Sequence, residues 1–195
     1  MHWAERLADE LIAENPGKEE FLCAAGTSPS GSVHIGNFRD IATPYFVVKA
    51  LQARGKKAKL MLSWDDFDRL RKVPKNIAPI APDFEKYIGM PYCMIPDPYG
   101  KYSSYAEYNE KEYEASLAEM GIDIEYRYQG QEYMSGRYVE GIITAMHKRK
   151  EIYDILMNYK TQDSDEGERE SYYPIGVYCS VCHKDFTTVL SYNEE

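Results

Sequence analysis

The run His34-Ile35-Gly36-Asn37 follows a loop of composition Gly26-Thr27-Ser28-Pro29-Ser30-Gly31. A short apolar run, Phe21 to Ala25, precedes that loop, and an apolar helical pattern follows it. A strand that runs through a Gly/Ser/Pro loop into a helix presents free backbone N–H groups and the positive end of a helix dipole. That arrangement suits an anion. His34 can donate to a phosphate oxygen. Gly36 has no side chain, so a flat group such as a purine can approach the backbone there, and Gly26 and Gly31 give the same access from the loop side. A lone His-x-Gly is usually a turn with a capping histidine. Strand, loop, His-x-Gly and a following strand together favour a nucleotide site.

A second cluster is Asp65, Asp66 and Asp68, with Arg69, Arg71 and Lys72 just behind it. On residue types alone this is a solvated acidic turn ahead of a basic stretch. It also lies just beyond the end of a second strand, the edge at which open α/β sheets bind ligands. The third cluster is Cys179-x-x-Cys182, which has zinc-ligand spacing but supplies two ligands where a structural zinc takes four. Cys23 and Cys93 are isolated.

These clusters need elements to hold them. Trp3, Leu7, Leu11 and Ile12 share one face of a helix over residues 2–14, stopped by Asn15-Pro16-Gly17. Buried strands are expected at Glu20–Ala25 and Lys59–Ser63. Between them the pattern predicts a helix from His34, a break, and a second helix from Pro44 to Ala53 with Thr43 as its cap. Strand, helix, strand makes a βαβ unit and a parallel sheet. Prolines then mark an irregular stretch from Pro74 to Pro98, and tyrosines crowd Tyr87 to Tyr138. A helix capped by Ser103 or Ser104 and ended by Gly121 is expected, then a strand at Ile122–Tyr128 and a helix from about Ser135 to Tyr159. Tyr105 and Tyr108 at helical spacing read as packing, with stacking on nucleic acid as the lesser reading. His2 and His147 read as surface or packing residues. Residues 160–171 read as an exposed loop, and Tyr172 to Tyr192 as strand-like sequence around the CxxC.

The chain has 195 residues, 44% of them hydrophobic and 28% charged, enough for one core and too apolar for a chain that lives unfolded. No apolar run reaches the roughly 20 residues of a membrane helix, and the N-terminus is no signal peptide. Four cysteines are too few for a disulfide scaffold, so a reducing, cytoplasmic setting is expected. The net charge of −9 excludes a whole-surface nucleic-acid binder; such contact must use a local patch or another part of the protein.

His34-Ile35-Gly36-Asn37 resembles the HIGH signature of class I aminoacyl-tRNA synthetases. The stretch from Gly26 to Asp40, with Ser63-Trp64-Asp65-Asp66-Phe67-Asp68-Arg69-Leu70-Arg71-Lys72-Val73-Pro74, resembles the class I lysyl-tRNA synthetases. The opening Met1-His2-Trp3-Ala4 and the run from Tyr173 to Cys179 are similar to the same family. The resemblance implies an α/β fold, with a Rossmann-like class I catalytic domain whose N-terminal half lies here. Residues 1–75 are the first half of the nucleotide-binding domain. Residues 76–195 are the remainder and the start of an inserted α+β, acceptor-binding region ending inside a zinc-ribbon-like segment.

The resemblance implies a lysine–tRNA ligase that uses ATP with Mg, lysine and tRNA(Lys). His34 and Asn37 are then catalytic, and Ser30, Gly31, His34, Gly36 and Asn37 bind ATP. Gly26, Ser28, Asp65, Asp66 and Asp68 take the lysine, and Cys179 and Cys182 are half of a structural Zn site whose second cysteine pair falls past Glu195. Asn37 replaces the last histidine of HIGH, as is common in this family. Ser28 stands where the family often has Thr. Position by position the chain is similar to the N-terminal part of a synthetase of roughly 500 residues, well over one domain's worth. The resemblance fixes no oligomeric state and implies no membrane partner. Two rivals stand beside it. One is a non-catalytic half that binds lysine, a nucleotide or a separate second half. The other is a small HIGH-type nucleotidyltransferase. No KMSKS motif occurs in these residues. The chain by itself is therefore expected not to charge tRNA(Lys), and measurable charging by the purified chain would refute that.

Overall fold

The computed structural model describes residues 2–160 and 167–193. Three parallel strands form its centre: β1 (Glu20–Thr27), β2 (Lys57–Trp64) and β3 (Glu125–Tyr128), in the order β1-β2-β3. Strand β2 is the central one, and its alternate residues Ala58, Leu60, Leu62 and Trp64 are buried. The expected βαβ unit is therefore present. The two terminal residues of β1, Gly26 and Thr27, lie beside Ser63 and Trp64 of β2, so both strands release their loops at one edge. The Asp65 N–H continues the ladder onto Thr27 O at 2.9 Å. Strand β1 departs from the reading as a fully buried strand. Phe21 is buried but Leu22 is 53% exposed, because one face of β1 has no cover among the described residues.

Helix α1 (Trp3–Glu14) starts with a capping box between His2 and Glu5. Its buried face is Ala4 and Ala8, with Leu11 and Ile12 half-buried; Trp3 and Leu7 turn outward, contrary to the periodicity reading. Two alanines let α1 approach closely, and Trp3 covers Phe46 edge-on. Helix α2 (Ile35–Ala53) runs unbroken through Pro44. Proline removes one N–H from the ladder. The carbonyl so freed belongs to Asp40, an exposed residue that water can serve, and the Thr43 hydroxyl donates to Arg39 O at 2.9 Å. A break is thus not required, and Thr43 is no N-cap.

Helix α3 (Tyr105–Glu119) bridges two cores. Its start, Tyr105 and Ala106, packs with Leu70, Ile77, Phe84, Tyr92 and Ile95 of the proline-rich stretch. Its end, Tyr113 and Leu117, packs under the sheet. The tyrosine segment is thus largely packing, and Tyr105 is 1% exposed. Strand β3 is shorter than expected, since Gly121 (φ 69°) ends α3 and Ile122 is consumed in the core. The single helix expected from about Ser135 to Tyr159 is instead two, α5 (Val139–His147) and α6 (Arg149–Met157), preceded by a short α4 (Gln129–Met134). Gly136 at φ 79° separates α4 from α5, and Lys148 leaves helical geometry between α5 and α6. Of the loop read at 160–171, residues 161–166 lie outside the described residues, and Glu168–Ser171 form a short helix, α7. No strand forms among the described residues after Tyr172.

Candidate functional site

His34 is the N-cap of α2. Its Nδ1 accepts the Gly36 N–H at 3.0 Å, and Asn37 Oδ1 accepts the His34 N–H at 3.4 Å. With Nδ1 used as an acceptor, Nε2 is the ring nitrogen left to donate. Asn37 Nδ2 donates to Thr27 Oγ1 at 3.5 Å, which ties the helix start to the end of β1. A Cβ on Gly36 would lie 2.8 Å from His34 Cε1. The glycine is therefore needed for the histidine ring itself, in addition to any access it gives a ligand. The loop before α2 is held from behind by α3. Tyr105 OH donates to Ser30 O at 3.0 Å, and Asn109 Nδ2 donates to Pro29 O at 3.3 Å. Gly31 faces the Tyr105 hydroxyl.

The three aspartates after β2 separate. Asp65 and Asp68 line a cavity of about 680 Å³ with Phe67, Gln129, Tyr133, Tyr138, Tyr178 and Asp185 among its walls. Phe67 stacks on Tyr133 at 4.9 Å between ring centroids. Burial raises the Asp65 carboxyl above its ordinary value, helped by the charges of Asp68 and Asp66. A Cβ on Gly26 would lie 3.9 Å from Asp65 Oδ2, so these two sequence-derived site residues are neighbours. Asp66 points elsewhere and does not line this cavity. It is 4% exposed, and its Oδ1 accepts the Gly130 N–H at 2.7 Å, anchoring the first turn of α4. Alternation after a strand explains the split, because Asp66 takes the buried side.

Ser28 and Ser30 open onto an adjoining cavity of about 400 Å³, lined also by Asp68, Arg71 and Lys72. Asp68 belongs to both spaces, so an acidic, aromatic pocket and a basic one meet at that residue. His34, Gly36 and Asn37 line neither. Asp66 and Glu110 border a third cavity of about 460 Å³ behind the sheet edge. Glu110 is 4% exposed and its Oε1 has no hydrogen-bond partner. Burial first, then the charges of Asp66 and Glu114, push its carboxyl up to about 8, so it keeps its proton at neutral pH.

Cys179 and Cys182 sit in a tight turn in which Cys179 Sγ accepts the Val181 N–H at 3.4 Å. Amide donors from Cys182 and Val181 hold the Cys179 thiol below its ordinary value, as suits a thiolate ligand. Among the described residues no group of three or more His, Cys, Asp or Glu comes together for a metal. The pair supplies two of the four ligands that a structural zinc takes.

Sequence reasoning missed Gln129, Tyr178 and Asp185. Gln129 Nε2 donates to Ser63 Oγ at 2.6 Å and its Oε1 accepts from Tyr138 OH at 2.7 Å. Tyr178 OH donates to Phe67 O at 2.7 Å. Tyr178 lies inside a family-like run, which was its signal; Asp185 and Gln129 carried none, since their partners are remote in sequence.

Two outcomes follow from this geometry. Gly36→Ala expels the His34 ring while improving helix propensity. The lost cap bond and the gained helix propensity, each about 1 kcal/mol, should nearly cancel in the melting temperature, while the His34 ring resonances shift in NMR spectra. Glu110 has a folded-state value of about 8 against 4.5 in a free chain, so between those values the unfolded chain releases a proton that the fold retains. Stability therefore falls as pH rises through this window, by on the order of 1 kcal/mol per pH unit. Glu110→Gln does not titrate and should gain on the parent from about pH 5 to about pH 8 in urea unfolding.

The family model of class I (K) tRNA synthetases matches residues 1–195. The lysine–tRNA ligase of Treponema pallidum is 41% identical over 97% of this chain, which covers 35% of that protein. Those of Thermococcus kodakarensis and Streptomyces coelicolor are 38% and 36% identical over 95% and 99% of the chain, covering 35% and 39% of theirs. The chain thus spans little more than a third of the length of the curated relatives it matches. With a three-stranded parallel sheet and a His-Ile-Gly-Asn helix start at its edge, the chain belongs to the class I (K) tRNA synthetases.

Proposed function

We propose that this chain forms the lysine- and ATP-binding half of a class I lysine–tRNA ligase. The observation that carries the reading is the acidic, aromatic cavity at the exit edge of the parallel sheet. A lysine side chain is an apolar stem ending in an ammonium. Phe67, Tyr133 and Tyr138 offer the stem rings to lie against, and Asp65 and Asp68 offer the two ammonium groups carboxylates. Gly26 stands beside Asp65 and leaves room for the amino-acid backbone. Ser28 serves the lysine from the adjoining space. Asp66 acts on the pocket through α4.

In the reaction, the lysine carboxylate attacks the α-phosphate of ATP, forming a P–O bond as pyrophosphate leaves. The terminal ribose hydroxyl of tRNA(Lys) then attacks the acyl carbon and AMP leaves. Such steps need alignment and charge stabilisation more than covalent help. His34 Nε2–H and the Asn37 amide would meet phosphate oxygens. Ser30 and Gly31 border the phosphate path, and Gly36 admits the nucleotide. Mg would accompany the ATP phosphates. Residues 1–75 would supply the first half of the nucleotide domain, and 76–195 its remainder with the start of the acceptor-binding insertion. Cys179 and Cys182 would be half of its zinc ribbon. A reducing, cytoplasmic setting would suit a chain with so few cysteines. No helix among the described residues is long and apolar enough to cross a membrane. The uncovered face of β1 supports a second reading, in which this half docks with another segment that completes the site.

Calorimetry with L-lysine and L-norleucine tests the reading, since norleucine keeps the stem and lacks the side-chain ammonium. Lysine should bind at least about tenfold more tightly, and Asp65→Asn should weaken it. With the Asp65 carboxyl raised by burial, lysine binding should fade on acidification at a higher pH than for an ordinary aspartate. Equal affinity for the two amino acids overturns the proposal.

A further inference from the structure

The basic stretch behind the aspartates takes no part in lysine binding. Arg69, Arg71 and Lys72 line the cavity of about 400 Å³, beside Ser30 and Tyr92. Arg69 is paired with Asp185. Arg71, Lys72 and, a few residues on, Lys75 are exposed and enter no ion pair among the described residues. Elsewhere cations are mostly matched, as Arg54 is with Asp9, Lys59 with Glu125 and Lys101 with Glu112. In a chain of net charge −9, free cations gathered in one short stretch make the local patch that an acidic protein needs to meet a polyanion.

Two features select the kind of anion. The first is an aromatic platform at the end of the stretch. Asn76, next to Lys75, donates from Nδ2 to Tyr99 OH at 3.4 Å. Tyr99 stacks on Tyr108 with ring centroids 4.3 Å apart, and it is 43% exposed. The Asp97 carboxylate accepts the N–H groups of Tyr99, Lys101 and Tyr102 at 2.9, 2.8 and 2.9 Å, so the loop that carries the ring is pre-formed. A line of cations that ends on an open aromatic face suits a single-stranded nucleic acid, through its phosphates and one base. The second feature is position. Asp68 lines this cavity and the acidic one, so a phosphate held here stands beside the lysine pocket. The His34 helix start, where the ATP phosphates are placed above, lines neither space. Resting on the lysine reading, we infer that Arg71 and Lys72 hold the last backbone phosphate of the single-stranded acceptor end of tRNA, with Lys75 next along the strand and Tyr99 under one of its bases. The terminal ribose of a strand held so reaches the lysine pocket, where its hydroxyl is needed.

The probe is a fluorescein-labelled RNA tetranucleotide with a free 3′ ribose, followed by anisotropy at low salt. The parent chain should bind it, and the double variant Arg71→Gln/Lys72→Gln should bind about tenfold more weakly. The slope of log affinity against log salt should become shallower by about 0.7, the share of one single-strand phosphate. Tyr99→Leu should also cost about tenfold but leave the salt slope alone, and Tyr99→Phe should bind as the parent does. Lysine affinity should hold in every variant. No RNA binding by the parent, or undiminished binding by the double variant, overturns the proposal. So does a polyglutamate peptide that competes as well as unlabelled RNA, which marks a patch for any anion. An equal loss of ATP affinity in the double variant makes the cavity a nucleotide site and overturns it too. Those results leave the lysine reading standing. A parent chain that binds lysine no better than norleucine defeats that reading, and with it the acceptor role, whatever the RNA does.

Discussion

The parallel register of β1 on β2 is the constraint on which the site depends. Gly26 beside Ser63 and Thr27 beside Trp64 mean that two loops, far apart in sequence, leave one edge at the same height. Parallel strands require a crossover, and α2 provides it, beginning at the end of the glycine-bounded loop. One element therefore closes the sheet, caps itself with His34, and aims the His34 ring outward. A slip of one residue in β2 would exchange the buried set Leu60, Leu62 and Trp64 for Lys59, Met61 and Ser63. The same slip would turn Asp65 inward and Asp66 outward. Burial of the core and orientation of the carboxylates are thus one decision.

Behind that edge, polar groups are buried with specific partners. Trp64 Nε1 donates to Glu114 Oε1 at 3.1 Å, Tyr128 OH donates to the same oxygen at 2.8 Å, and Lys111 Nζ reaches Glu114 and Tyr128 at 2.7 and 2.9 Å. This network joins the ends of β2 and β3 to α3. Asp66 joins the same edge to α4, and Cys93 N–H donates to Asp66 O at 3.0 Å. Such groups position the pocket without touching its contents. Asp66 and Asp65 are adjacent in sequence, yet one is architecture and the other lines the cavity.

Local chemistry was legible in the sequence. The strands, the glycine-bounded loop, the helix N-cap at His34 and the end of α3 at Gly121 follow from residue types over a few positions. Pro44 misled because proline's cost depends on whether the carbonyl it orphans is wet, and that is a tertiary fact. Trp3 and Leu7 misled because apolar period alone does not say that small alanines win the contact face. The long helix after Ser135 failed at Gly136 and Lys148, where the chain turns so that Tyr133 and Tyr138 can face one pocket. Of the site, the loop and the aspartate pair were readable, but Gln129, Tyr178 and Asp185 were not. Their significance lies in contacts across the fold, and no local pattern encodes those.

The contacts that complete the pocket wall span great lengths of chain. Tyr178 to Phe67 closes a loop of 111 residues, and Asp185 to Arg69 one of 116. Closure entropy rises only slowly with length, so such contacts are affordable at equilibrium. Their consequence is temporal. Contacts of high sequence separation form late, after the local ones have reduced the search. On a ribosome, the sheet edge and the His34 cap have all their residues while just over a third of this stretch is still unmade. The acidic pocket has no far wall until Tyr178 and Asp185 emerge. A nascent chain thus acquires its His34-capped helix well before it acquires the closed cavity beside it.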